Sequence, residues 1–250
     1  MPEAVAPLLD IAIPVYNEGE NIGRVLDALE RHVRTPFRLL IAYDREDDDT
    51  LPAIARRGPA RYEVRLVHNT GLGVHAAVRA AFAASTARFV IVLPADDDYN
   101  APIIDLLVQR ASDGNDIVAP SRFMRGGRMV SCPWLKSTLV RTSAFALYHV
   151  ARLPTHDPSN GFRLFSRRLL DSVAIESRVG FTYSLELLVK AHRLGWTVAE
   201  VPAEWYERHA GRSRFQVLRW LPAYLRWFRY AFATTYLRRG AETVTLGRAP

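Results

Sequence analysis

Three consecutive carboxylates, Asp96, Asp97 and Asp98, follow directly on an apolar run at residues 89–93 in the stretch FVIVLPADDDYNAP. Neighbouring like charges repel and cost stability unless a cation or hydrogen-bond donors compensate them. Hard oxygen donors of this kind suit Mg²⁺ or Mn²⁺, which in turn suits a phosphate-bearing substrate. The alternative is a solvated acidic turn. Other polar clusters interrupt the chain in the same way: Tyr16-Asn17-Glu18-Gly19 after residues 8–15, Asp44 and the acidic loop to Thr50 after residues 37–43, the turn Asn69-Thr70-Gly71-Leu72-Gly73 after residues 63–68, and Ser121-Arg122 after residues 116–120.

Each of those apolar runs has the length and β-branched content of a buried strand. Between them lie segments with helical spacing: Ile22, Val25, Leu26, Leu29 and Val33 share one face, a short helix capped by Asp49 or Thr50 runs through Ile54, and an Ala-rich helix covers 74–85. Strands alternating with helices predict βαβ units and a largely parallel sheet. In such a sheet the polar loops all fall on the carboxyl edge of the strands, where ligands bind. Farther on, helices are expected at 103–111, 134–151 and 183–194, a mobile polar loop at 123–132, a short strand at 163–165, and one strand over 196–206. Gly71-x-Gly73 lacks the full dinucleotide fingerprint, so no dinucleotide site is read there. His75, His156 and His192 have no metal-ligand spacing, and Ser159 and Ser213 lack the strained elbow of a serine hydrolase.

The 250 residues are 49% apolar, enough for a substantial core and incompatible with wholesale disorder. The single cysteine, Cys132, excludes an internal disulfide. A formal charge of +7, carried almost entirely by arginine, fits nucleic acid, an anionic membrane face or a phosphorylated ligand. No nucleic-acid module is recognisable, and an aspartate-lined crevice repels phosphates unless a metal is present, so no nucleic-acid partner is expected. The opening MPEAVAPLLD has no basic stretch and no long apolar core, and no window reaches ~18 uninterrupted apolar residues, so neither a signal peptide nor a membrane span is expected.

Taken in order, IPVYNEGENI, the loop bearing Asp44, the GLG turn, the post-strand aspartates, Ser121-Arg122, DPSNGFRLFSRR and EVPAEWYERHAGRSRF resemble the GT-A family 2 glycosyltransferases, most of all the dolichyl- or polyprenyl-phosphate sugar synthases. The resemblance covers about residues 8–215. It implies a Rossmann-like GT-A domain (1–214) with a mostly parallel central sheet flanked by helices. It also implies inverting transfer of a hexose from a GDP- or UDP-sugar to a polyprenyl or dolichyl phosphate, with Mg²⁺ or Mn²⁺ as cofactor. A soluble or saccharide acceptor, or a non-catalytic nucleotide-sugar- or lipid-binding relative, is the alternative.

Position by position, the resemblance places Pro14, Tyr16, Asn17, Glu18, Asp44, Gly73, Asp96 and Asp97 at the nucleotide sugar. Asp97 is the first choice for the metal, followed by Asp96 and Asp98, because Ala95 stands where the family has its first aspartate. The second-strand loop, Asp44 to Thr50, also departs from the family by lacking a glycine and a serine. Asp157, Arg122 and Arg208 are the expected catalytic residues, with Asp157 as base or acceptor-orienting group. Arg141, Arg163, Glu186 and Arg214 are expected at the acceptor or its phosphate. Glu186 could instead be an exposed helix residue or a salt-bridge partner.

Residues 215–239 read as an amphipathic helix, with Trp220, Tyr224, Trp227, Phe228 and Ala231 on one face and Arg219, Arg226 and Arg229 roughly opposite. Such a helix suits a membrane interface, and predicts a peripheral protein on the cytoplasmic membrane face. The alternative is a helix whose aromatic face packs on the domain. Residues 240–250 are expected to be a loose tail.

Overall fold

In the computed structural model, residues 7–206 and 217–247 are described. Strands β1 (Leu9–Pro14), β2 (Phe37–Tyr43), β3 (Glu63–His68), β4 (Phe89–Val92), β5 (Ile117–Ser121), β7 (Arg163–Ser166) and β8 (Val198–Pro202) form one sheet in the order β3-β2-β1-β4-β7-β5-β8. All its neighbours pair parallel except β7, which runs antiparallel to both β4 and β5. The central strands are buried on both faces, which is why they read as continuous apolar runs rather than alternating ones.

Two apolar cores result, one on each face of the sheet. Helices α1 (Ile22–His32), α2 (Thr50–Arg57) and α4 (Ile104–Ser112) cover one face; α3 (Val74–Ala84), α7 (Thr182–Arg193) and α8 (Val217–Tyr236) cover the other. The chain leaves β1 toward β2 on one side and reaches β4 on the other, so the strand order reverses between β1 and β4. That is the position at which an open α/β sheet forms its ligand crevice.

Several elements differ from expectation. The polar loop at 123–132 contains a short strand, β6 (Arg128–Val130). The single strand expected over 196–206 is two: after β8, the chain turns at Ala203 into β9 (Glu204–Tyr206), which leaves the main sheet and pairs parallel with β6. The helix expected over 134–151 is α5 (Trp134–Phe145) followed by a wider π-turn at Ala146–Val150. A short helix, α6 (Arg167–Ser172), begins at Ser166, whose hydroxyl accepts from Leu169 N. The expected loose tail is partly anchored: Leu246 bridges to Val173, and Val244 is buried.

The aromatic face of α8 packs inward. Trp227 is 2% exposed and Ala231 fully buried, and the Trp227 indole donates to Ser177 Oγ at 2.9 Å. This corrects the membrane-facing expectation for that face: a stripe of aromatics is also what a core-facing helix shows. Among the described residues, no helix is long and apolar enough to cross a membrane.

Candidate active site

The loops after β1 and β2 are laced together by a backbone clamp. Asp48, buried in an otherwise acidic and exposed loop, accepts from Asn17 N at 3.0 and 3.1 Å and from Thr50 N at 2.9 Å. Glu18 N donates to Thr50 Oγ1 at 2.9 Å, and Gly19 N donates to Asp49 Oδ1 at 2.8 Å. Asp49 occupies the cap position of α2, but neither it nor Thr50 caps that helix; both serve the first loop. Turn amides with no ladder partner need acceptors, and the acidic loop supplies them. Glu18 is thereby fixed at the crevice, where its carboxylate also accepts from Asn21 Nδ2 at 2.8 Å. Tyr16 and Asn17 are exposed beside it, and Pro14 closes β1 beneath.

Asp44, at the tip of β2, organises the glycine turn. Its Oδ1 accepts from Asn69 Nδ2 and its Oδ2 from Gly73 N, both at 2.7 Å. Gly73 has φ of +86°, a left-handed conformation that disfavours side chains, and a Cβ on Gly71 would lie 2.7 Å from that of Ala76.

Beyond β4, Asp97 is crowded by protein atoms. Burial pushes its pKa up to about 7, with Asp96 and Asp98 adding to the rise and Asn100 opposing it. Asn100 Nδ2 lies 2.8 Å from both Asp97 oxygens. Asp96, Asp97 and Asp98 are all partly exposed, and among the described residues no three acids, histidines or cysteines converge as a metal cage. Asp96 and Asp98 flank Asp97 on the same turn, as the second and third candidates for the ion. Asp97 remains a fit for a divalent ion on its own observation, as a crowded carboxylate with no cationic hydrogen-bond partner among the described residues, at the edge where a diphosphate would supply further oxygens.

On the other side of the crevice, Arg122 follows β5. Its Nε lies 2.6 Å from Asp157 Oδ2 and its Nη2 2.8 Å from Oδ1, while Arg122 N donates to Oδ2 at 3.1 Å. Burial alone would lower the Arg122 pKa, but Asp157 holds it above its ordinary value. Asp157 is fully buried. Asp157, expected as a base or acceptor-orienting group, turns its carboxylate toward Arg122. Arg163 and Glu186, expected at the acceptor, are buried in the scaffold, Glu186 as the salt-bridge partner that its alternative reading allowed. Arg163 is fully buried and donates to the backbone oxygens of Ser184, Asp157 and Pro158; burial lowers its pKa to about 10. Glu186 is also fully buried, bonded to Lys190 and to the amides of Glu176 and Ser177. Both brace the scaffold.

Sequence reasoning passed over one pair. His156 Nδ1 lies 2.6 Å from Glu200 Oε2, and Glu200 Oε1 accepts from Thr155 Oγ1 and His156 N, also at 2.6 Å. Tyr148 stacks on the imidazole at 3.8 Å. His156, Tyr148, His149, Phe145, Phe123 and Arg141 line a cavity of about 190 Å³. The guanidinium groups of Arg122 and Arg141 each lie 5.2 Å from the Phe123 ring centre, so two cations share one aromatic ring. Only proximity in space reveals the pair, since His156 and Glu200 are 44 residues apart. Arg208 and Arg214 lie outside the described residues.

The sequence matches the family described as "Glycosyl transferase family 2" over residues 10–174. An uncharacterized glycosyltransferase of Mycobacterium tuberculosis is 31% identical over 204 residues, covering 82% of this chain and 88% of that protein. The polyprenol monophosphomannose synthase of Mycolicibacterium smegmatis is 27% identical, covering 82% and 79%. The dolichyl-phosphate hexose transferase of Haloferax volcanii is 29% identical, covering 82% and 86%. Among solved structures, glucosyl-3-phosphoglycerate synthase from M. tuberculosis, in complex with Mn²⁺, UDP and glucosyl-3-phosphoglycerate, superposes with a TM-score of 0.65 at 20% identity over 91% of this chain and 79% of that one. The shared architecture is the GT-A fold.

Proposed function

The chain belongs to the family 2 glycosyltransferases, and on that premise we propose that it transfers a hexose from a GDP- or UDP-sugar to a polyprenyl or dolichyl phosphate at a membrane surface. The observation that carries the acceptor class is Arg141, which lines the His156 cavity with Phe123, together with the Asp157-held Arg122: both guanidiniums lie 5.2 Å from the Phe123 ring centre. Cations gathered this closely are stabilised by an anion between them, and guanidinium suits phosphate oxygens.

An apolar stem has somewhere to go. Helix α5 exposes Trp134 (78%), Leu135 (65%), Leu139 (52%) and Phe145 (61%), and its Arg141 reaches the same cavity. A lipid surface covering those side chains would keep the acceptor head at the crevice and the tail in the bilayer. In this reading the membrane contact belongs to α5 rather than to the aromatic face of α8. The related polyprenol monophosphomannose synthase and dolichyl-phosphate hexose transferase support a lipid acceptor by name.

On the donor side, Tyr16, Asn17, Glu18, Asp44 and the Gly73 turn hold the nucleoside, and Asp97 holds Mg²⁺ or Mn²⁺, with Asp96 and Asp98 nearby. When bound, the ion supplies charge neutralisation for the departing nucleoside diphosphate. A phosphate oxygen of the acceptor attacks the anomeric carbon as the bond to the diphosphate breaks, inverting the centre. A phosphate monoester is largely ionised near neutral pH, with a second pKa of about 6, so it needs little help from a base. Asp157 then acts by holding Arg122 in place. Arg208 and Arg214 would add positive charge to the leaving diphosphate.

A second reading has a hydroxyl acceptor, favoured by the His156–Glu200 pair: a hydroxyl does need a base, and a carboxylate-oriented imidazole lining a cavity is suited to that task. Incubation with labelled GDP- or UDP-hexose, Mn²⁺ and either a short isoprenyl phosphate or a saccharide, followed by organic extraction, separates the two. Label in the organic phase supports the lipid phosphate; label only in an aqueous glycoside contradicts it.

A further inference from the structure

Asn100 is 4% exposed and stands three residues past Asp97, where the chain turns into the 3₁₀ segment Ala101–Ile103. Its side-chain amide makes two sets of contacts. Toward the donor side, Nδ2 is 2.8 Å from each Asp97 oxygen, and Asn100 N donates to Asp97 Oδ1 at 3.1 Å. Toward β9, the same Nδ2 donates to Glu204 O at 2.8 Å, and Oδ1 accepts from Glu204 N at 3.0 Å.

An amide nitrogen has two protons, and here they serve three acceptors. One N–H must be shared across the Asp97 carboxylate while the other faces Glu204. Next to this contact, the rings of Tyr99 and Tyr206 lie 4.2 Å apart, centre to centre, tilted by 32°. The turn that carries Asp97 is thus joined at two adjacent residues to the β6/β9 ribbon. In sequence, that ribbon leads straight from Tyr206 toward Arg208 and Arg214.

We propose that Asn100 is a positioning residue that couples a divalent ion at Asp97 to the pairing of β9. The inference rests on the reading of Asp97 as the metal-holding carboxylate. A cation on Asp97 would take one carboxylate oxygen, so the Asn100 amide, no longer shared across both, holds the other oxygen in place and tightens on Glu204. Donor loading on one side of the crevice is then registered at the ribbon on the other. Without Asn100, Asp97 loses the donor that fixes its carboxylate plane, and Glu204 loses two backbone bonds.

Hydrogen exchange on the full chain reads this directly, because the Glu204 amide donates to Asn100 itself. Peptides covering 203–206 would be followed with and without saturating Mn²⁺ and UDP or GDP. In parallel, Mn²⁺ affinity in the presence of the nucleotide would be measured by electron paramagnetic resonance. In the native chain, exchange at 203–206 slows several-fold on loading. In Asn100→Ala and Asn100→Ser, that response disappears and Mn²⁺ affinity falls about tenfold, while exchange of the β1 and β4 amides stays as in the native chain. Persistence of the response in both variants overturns the inference, as does a loaded native chain with no change at 203–206. A native chain that binds no nucleotide with Mn²⁺ contradicts the donor-site reading as well, and titration of the nucleotide alone tells the two failures apart.

Discussion

The guanidinium of Arg122 and the carboxylate of Asp157 meet through two near-parallel bonds, Nε to Oδ2 at 2.6 Å and Nη2 to Oδ1 at 2.8 Å, in a site where Asp157 has no exposed surface. Removing one partner of a buried pair strands the other charge, at a cost of about 3–5 kcal/mol. Asp157→Asn is therefore expected to lower the melting temperature by several degrees and transfer activity at least a hundredfold. With Asp157 acting through Arg122, as proposed, the residual activity is expected to keep the native pH profile. Arg122→Lys, which cannot form the two-pronged contact, is expected to lose activity while retaining more stability. Thermal melts and pH–rate profiles of both variants check this.

Asp97 gives a stability signature. Its native pKa is about 7, well above the ordinary 3.8, because burial disfavours the charged form. Between those values the unfolded chain releases a proton that the native chain keeps, so stability falls as pH rises from about 4 to about 7 and is level above that. The expected result is a melting temperature that declines across this window, a shallower decline in Asp97→Asn, and a Mn²⁺-induced rise that is greatest above pH 7. Melting curves at a series of pH values, with and without Mn²⁺, provide the measurement.

Asp48 is predicted to matter as much as the residues it supports. Asp48→Ala removes the acceptor for the amides of Asn17 and Thr50, and the Thr50 amide, left as an unsatisfied buried donor, costs about 1–3 kcal/mol. Loss of order in the Glu18 loop is expected to weaken nucleotide binding about tenfold, with Asp48→Asn intermediate. Calorimetric titration with UDP and GDP reads the change.

Two surface readings are separated by mutation. Trp134→Ser with Leu135→Ser is expected to leave the melting temperature within about 2 °C, since both side chains are exposed, and to reduce co-sedimentation with anionic vesicles severalfold. Trp227→Ala on α8 is expected to destabilise by about 3–5 kcal/mol, as truncation of a buried aromatic does. Vesicle binding that survives the α5 changes would contradict the assignment of the membrane face.

Much of this was legible in the sequence because periodicity reports burial. The strands buried on both faces, β1, β2 and β4, and the crevice at their ends follow from apolar runs broken by polar loops. Motif order identified the family, as the match over residues 10–174 shows. What the sequence hid depends on partners far apart in the chain. Asp157, Arg163 and Glu186 are polar residues in a motif-rich region, and nothing local tells a buried brace from a group facing substrate. His156 and Glu200 acquire meaning only when β8 is placed beside the loop before β7. The aromatic stripe of α8 fits a membrane and a core equally well; α7 beneath it decides for the core.

The proposed transfer requires above all that a donor nucleotide and a divalent ion meet at Asp97. Isothermal titration of UDP and GDP, with and without Mn²⁺, into the native chain and Asp97→Ala tests this most directly. The expected result is binding of one nucleotide that Mn²⁺ strengthens at least tenfold, with the Mn²⁺ enhancement abolished in Asp97→Ala. An unchanged enhancement in that variant, or no nucleotide binding by the native chain, would contradict it.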